Sequence, residues 1–133
     1  MKKRLVTSAV FLMLVSCAHT EHWVSFGTFS DGYLVKRVSV DTNSIEKTGP
    51  AEYTITMLDE YKVPQKTITG LVYTKALSVQ TIRCDTGIFG TTRIAVYAED
   101  GKLVFDSGAS DRELTAKPQP RTVGAHLLAT VCG

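Results

Sequence analysis

Leu71-Val72-Tyr73-Thr74-Lys75-Ala76-Leu77-Ser78-Val79-Gln80-Thr81-Ile82-Arg83-Cys84 is the stretch whose reading decides the fold. It is the longest extended candidate in the chain, rich in the β-branched and aromatic residues that suit a pleated, half-buried surface. Upstream, residues 51–58 alternate, with Tyr53, Ile55 and Met57 on one face and Thr54 and Thr56 on the other, the period-2 pattern of a strand with one buried side. Downstream, Thr92 to Tyr97 and Lys102 to Phe105 flank Asp100-Gly101, a strong short-range hairpin signal. Nearer the start, Trp23 to Phe26 reads as a short aromatic strand, and Asp31-Gly32 turns the chain into a second one over Tyr33 to Val38. Asp41-Thr42-Asn43-Ser44-Ile45 reads as a local turn, and Gly49-Pro50 resets the chain. After Pro118 and Pro120, Thr122 can cap a run in which Val123, Leu127 and Val131 recur near helical spacing. The pattern predicts an α+β, mainly β domain: a single antiparallel sheet of about five or six strands with a short C-terminal helix.

The N-terminus reads differently. Lys2, Lys3 and Arg4 precede an apolar run from Leu5 to Val15, too short to span roughly 30 Å of hydrocarbon and ending at small residues, as a secretory signal does. Leu14-Val15-Ser16-Cys17 resembles the lipobox of bacterial lipoproteins, in which the cysteine receives the lipid. The expected organisation is a lipoprotein signal peptide over 1–16, a lipidated tether over 17–22 and one domain over 23–133. Ala18 is not the aspartate that holds many lipoproteins in the inner membrane, which points to the outer membrane, with the leaflet left open.

Cysteine count supports this division, because three cysteines cannot all pair within one chain. With Cys17 lipidated, Cys84 and Cys132 remain, an even number suited to an oxidising compartment. A bond between them would close a loop of about fifty residues and contribute about 4 kcal/mol by the chain-entropy model; two buried thiols are the alternative. Cleavage before Cys17 would remove three of the fifteen Lys and Arg and none of the thirteen Asp and Glu, leaving a net charge of −1. A near-neutral domain offers no electrostatic case for nucleic acid.

Trp23, Tyr33, the Asp41-Thr42-Asn43-Ser44-Ile45 turn with Gly49, the strand leading to Leu58-Asp59-Glu60-Tyr61, Lys75 and Ser78 ahead of Cys84, and the Leu128 to Cys132 segment together resemble the surface-adhesin protein E-like family of bacterial lipoproteins. The resemblance runs through nearly the whole domain. It implies an antiparallel sheet with little helix, and partners such as the host matrix or serum proteins vitronectin and laminin. Glu113-Leu114-Thr115-Ala116-Lys117 departs from the pattern, where a second aromatic would be expected ahead of the terminal helix.

No enzyme is expected. Asp85-Thr86-Gly87 is the aspartic-protease tripeptide, but it occurs once, directly after a cysteine, and reads as a turn. His19 and His22 lie three apart in the tether without a third ligand, so no metal site or cofactor is predicted; His126 reads as a partly buried, satisfied histidine. Trp23, Phe26, Phe29, Tyr33, Tyr53, Tyr61, Tyr73 and Tyr97 read as core and cross-strand pairs, with room for one or two exposed anchors among them.

The candidate binding residues are Lys75, Arg83 and Arg93, with Lys62 and Lys66 in the connection from Tyr61 to Thr67. A spacing of eight in one strand puts Lys75 and Arg83 on the same face, and Arg93 could lie across from them. Such a stripe could meet acidic segments or sulfated glycans of a partner; the plainer reading is a solvated strand face kept from aggregating by its charge. Two functions follow. One is a membrane-anchored adhesin that binds host matrix or serum proteins. The other is a structural or accessory envelope lipoprotein facing the periplasm and binding another envelope component.

Overall fold

The computed structural model describes residues 20–110 and 114–133. The expected signal over 1–16, the lipidated Cys17 and His19 lie outside the described residues. Six strands, β1 (Trp23–Asp31), β2 (Leu34–Gly49), β3 (Glu52–Lys66), β4 (Val72–Arg83), β5 (Ile88–Tyr97) and β6 (Leu103–Asp106), precede one helix, α1 (Val123–Cys132). Each strand pairs antiparallel with its neighbour in sequence, so the sheet order is β1-β2-β3-β4-β5-β6. The meander follows from tight reversals. At Asp31-Gly32, Gly32 takes φ 60, and at Asp100-Gly101 the Lys102 N–H donates to Asp100 Oδ1 at 3.0 Å.

Pairing places Val38 and Val40 beside Asp59 and Met57, and Ile82 beside Tyr53, on one face of the sheet. These apolar side chains need cover, and α1 supplies it: Leu127 is fully buried among Val38, Val40, Ile55, Met57 and Ile82. At roughly 25 cal/mol per Å², each such side chain contributes on the order of 2 kcal/mol. Thr122 caps the helix, its hydroxyl accepting from the Ala125 N–H at 3.3 Å. At the other end Cys132 is disulfide-bonded to Cys84 at the foot of β4, which fixes the C-terminal end of α1 against the sheet. Among the described residues, the core cluster with its packed neighbours and both halves of the disulfide fall within one folding unit between Phe26 and Cys132.

Four local expectations are corrected. The segment Asp41 to Ile45 is no reversal but an irregularity inside β2, where the register jumps between Asp41 and Glu46. The local bonding is still there: Asp41 Oδ1 accepts from the Asn43 N–H at 3.0 Å, so the backbone bends without leaving the sheet. The Tyr61 to Thr67 connection is instead the upper part of β3, which runs on through Pro64 to Lys66 past a second register shift. Tyr33 is wholly exposed at the β1–β2 turn. His126 is exposed too, its ring lying over Phe26 and Phe29 with centroids 5.3 and 5.9 Å away.

Candidate binding face

With α1 on one side, strand alternation sends Glu52, Thr54, Thr56, Leu58 and Glu60 of β3 to the other, facing Arg83, Thr81, Val79, Leu77 and Lys75 of β4 in register. Arg93 of β5 lies opposite Val79 and Tyr97 opposite Lys75. Lys75, Arg83 and Arg93 therefore share the face away from α1, Arg93 midway between the other two. Among the described residues no helix covers it.

The cations are not bare. Arg93 holds Asp106 of β6 in a two-pronged pair, Nε donating to Oδ1 at 3.1 Å and Nη2 to Oδ2 at 2.7 Å. Arg83 Nε reaches Glu52 Oε1 at 3.4 Å, and Arg37 binds Glu60 at 2.8 Å. Hydrogen bonds from Arg93 and from the Gly108 N–H hold the Asp106 carboxyl below the usual aspartate range. The face is a chequer of paired charges over a half-buried Thr and Val floor, with Lys75 the cation that makes no ion pair there among the described residues.

A groove of about 770 Å³ runs between Arg83 and Arg93, floored by Thr54, Val79 and Thr81 and walled by Ala109 and Leu114. Past Arg93 it continues into a smaller depression over Leu77, Ala95 and Tyr97. Leu114 belongs to the stretch where the sequence departs from the expected pattern, and it packs over Gly90, whose absent Cβ would come within 3.0 Å of it. The wall was not legible beforehand, because residues 107–110 and 114–116 reach the groove only by following β5 beyond the end of β6: Ser107 N–H donates to Ile94 O, and Phe89 N–H to Ala116 O.

On the α1 side a second cavity of about 600 Å³ opens between the first turn of the helix and the β1–β2 hairpin. Two of its polar side chains, Gln80 and Lys36, are already engaged. Gln80 donates to Ser78 and Thr91, each at 2.9 Å, and Lys36 pairs with the buried Asp59 at 2.8 Å. Nearby, burial and then the Asp59 charge push the Tyr61 hydroxyl well above the usual tyrosine pKa.

Asp85-Thr86-Gly87 forms the β4–β5 turn, with Asp85 exposed and the Gly87 N–H donating to Arg83 O. His22 is fastened to β2, its N–H donating to Asp41 Oδ1 and its Nδ1 2.9 Å from Thr42 Oγ1. No group of three metal-ligating side chains occurs among the described residues.

The fold is an open six-stranded antiparallel meander with one disulfide-fixed helix and a grooved free face. The family model for surface-adhesin protein E matches residues 23–133, and the chain belongs to that family. Membership makes it a bacterial cell-surface protein of adhesin type. No curated protein and no solved structure gives a significant match.

Proposed function

We propose that this protein is an outer-membrane lipoprotein, anchored through lipid on Cys17, whose free sheet face binds a host matrix or serum protein. The observation that carries the reading is the groove between Arg83 and Arg93 on the face that α1 leaves open. It offers half-exposed guanidinium edges beside Thr hydroxyls and small apolar side chains, a mixture suited to a protein surface with carboxylates. The paired charges set orientation and exclude mismatched partners more than they add affinity. Binding needs no nucleophile, metal or cofactor.

The test has two parts. Flow cytometry on intact cells with an antibody to the domain should give signal that vanishes in a Cys17→Ala strain, and radioactive palmitate should label only the wild type. Signal confined to permeabilised cells would transfer the protein to the periplasmic, accessory role. On purified protein, Arg83→Glu with Arg93→Glu should weaken capture by immobilised vitronectin or laminin about tenfold or more, since each reversal meets a carboxylate that formerly paired with it. Capture equal to wild type would remove this face from the binding site.

A further inference from the structure

The β3–β4 hairpin outgrows its neighbours. β2 pairs with β3 only as far as Tyr61, and β5 pairs with β4 only as far as Lys75, so residues 62–74 form a two-stranded ribbon beyond the sheet. Its end is apolar and open: Ile68 is fully exposed, and Val63, Leu71 and Val72 are each about half exposed. Single exposed aliphatics are ordinary on a protein surface; four on one ribbon tip make a patch.

The tip is also preformed. Thr67 N–H donates to Leu71 O at 2.8 Å and Gly70 N–H to Thr67 O at 2.9 Å. The Thr67 hydroxyl accepts from the Leu71 N–H at 3.0 Å. Gly70 takes φ 88, a conformation that a side chain would strain. This bonding holds Ile68 outward at the apex.

Along the hairpin itself the charge has one sign, with Glu60 across from Lys75 at its root. From Tyr61 to Arg83 the sequence has no Asp or Glu, and Lys62, Lys66 and Lys75 are exposed without an ion pair among the described residues. An apolar point ringed by unpaired lysines matches a layer that is anionic at its surface and apolar just beneath. We infer that the β3–β4 hairpin tip docks on an anionic phospholipid bilayer, with Ile68 entering the acyl boundary and Lys62 and Lys66 meeting headgroup phosphates. Nucleic acid supplies the anions but no apolar layer. The chain enters the sheet at Trp23, in register with Asp41, Thr56 and Val79, and the tip lies toward the opposite end. A domain tethered at its N-terminus therefore points the tip at a facing membrane. That orientation rests on the lipoprotein reading above; the docking does not.

The test is co-sedimentation of the chain from Ala18 onward, which carries the whole folding unit without the lipidated cysteine, with phosphatidylcholine vesicles containing or lacking about one-third phosphatidylserine. The protein should sediment with the anionic vesicles alone. Lys62→Gln with Lys66→Gln should weaken partitioning about 30-fold, equivalent to about 2 kcal/mol. Ile68→Asp should weaken it at least about tenfold, with an unchanged thermal melt because the residue touches no core. Arg83→Glu with Arg93→Glu should leave it unaltered, which separates this surface from the sheet face. Equal sedimentation with both vesicle types, sedimentation with neither, or an Ile68→Asp protein that behaves as wild type would overturn the inference.

Discussion

Gly124 shows how far one residue's role can lie from its own neighbourhood in sequence. A helix-interior glycine is worth roughly 0.5–1 kcal/mol less than alanine, so replacement would ordinarily stabilise α1. Here a Cβ would stand 2.5 Å from Phe89 Cζ and 3.0 Å from Pro118 Cβ. The Phe89 backbone is held by Ala116 and lies opposite the buried Ile82, so the ring itself would have to give way. Overpacking at such sites costs about 1–3 kcal/mol, more than the helix gain. Gly124→Ala should therefore lower the thermal midpoint followed by circular dichroism, and Phe89→Leu in the same chain should restore part of the loss. A raised midpoint in the single variant would mean that the ring yields and that the glycine has no packing role. Within the run that was read as a helix, nothing marked Gly124, because its reason arrives from β5.

At the scale of elements, α1 is the part whose attachment is most exposed to test. It has no acidic residue in its first turn and no basic residue in its last, so the helix dipole gains nothing from flanking charge. It stays on the sheet through Leu127 and the Cys84–Cys132 bond. The bond joins residues 48 apart, for about 4 kcal/mol on the chain-entropy model. Cys84→Ser with Cys132→Ser should lose about that much in urea unfolding, and hydrogen exchange in residues 123–132 should rise ahead of the strands. Uniform exchange across sheet and helix would show that the apolar packing of Leu127, with Val123, Leu128 and Val131 beside it, secures α1 without the bond. The elements themselves were largely legible, for local reasons: Asp-Gly pairs fix two hairpins, and Thr122 with apolar residues at helical spacing fixes α1. What escaped notice was strand length. Pro64 and the lysines around it look like a loop, yet an edge-like ribbon tolerates proline where its missing N–H has no partner to serve. Asp41 to Ile45 looked like a reversal because an aspartate accepting from a backbone N–H two residues on serves a turn and a bulge equally well.

For the whole molecule, the consequence of the fold is its electrostatic texture. Spacing alone put Lys75 and Arg83 on one face, but the counter-ions of Arg83 and Arg93 depend on strand register: Glu52 is 31 residues from Arg83 in sequence and Asp106 13 from Arg93. Three exposed pairs of this kind contribute roughly 0–1 kcal/mol each to stability, so their main effect is on the field. A bare basic stripe would draw acidic partners over a Debye length of about 10 Å and lose them as salt rose. A chequered face acts only at contact. Binding of a captured matrix protein, followed by surface plasmon resonance, should therefore weaken less than about tenfold between low salt and roughly 0.5 M NaCl, where the Debye length has shrunk to a few ångströms. Asp106→Asn breaks the tightest of these pairs and leaves Arg93 uncovered. That variant should associate faster with an acidic partner at low salt and show a steeper salt slope, while its dissociation rate changes little. A steep slope already present in the wild type would mean that the partner engages the unpaired lysines of the β3–β4 hairpin instead of the sheet face.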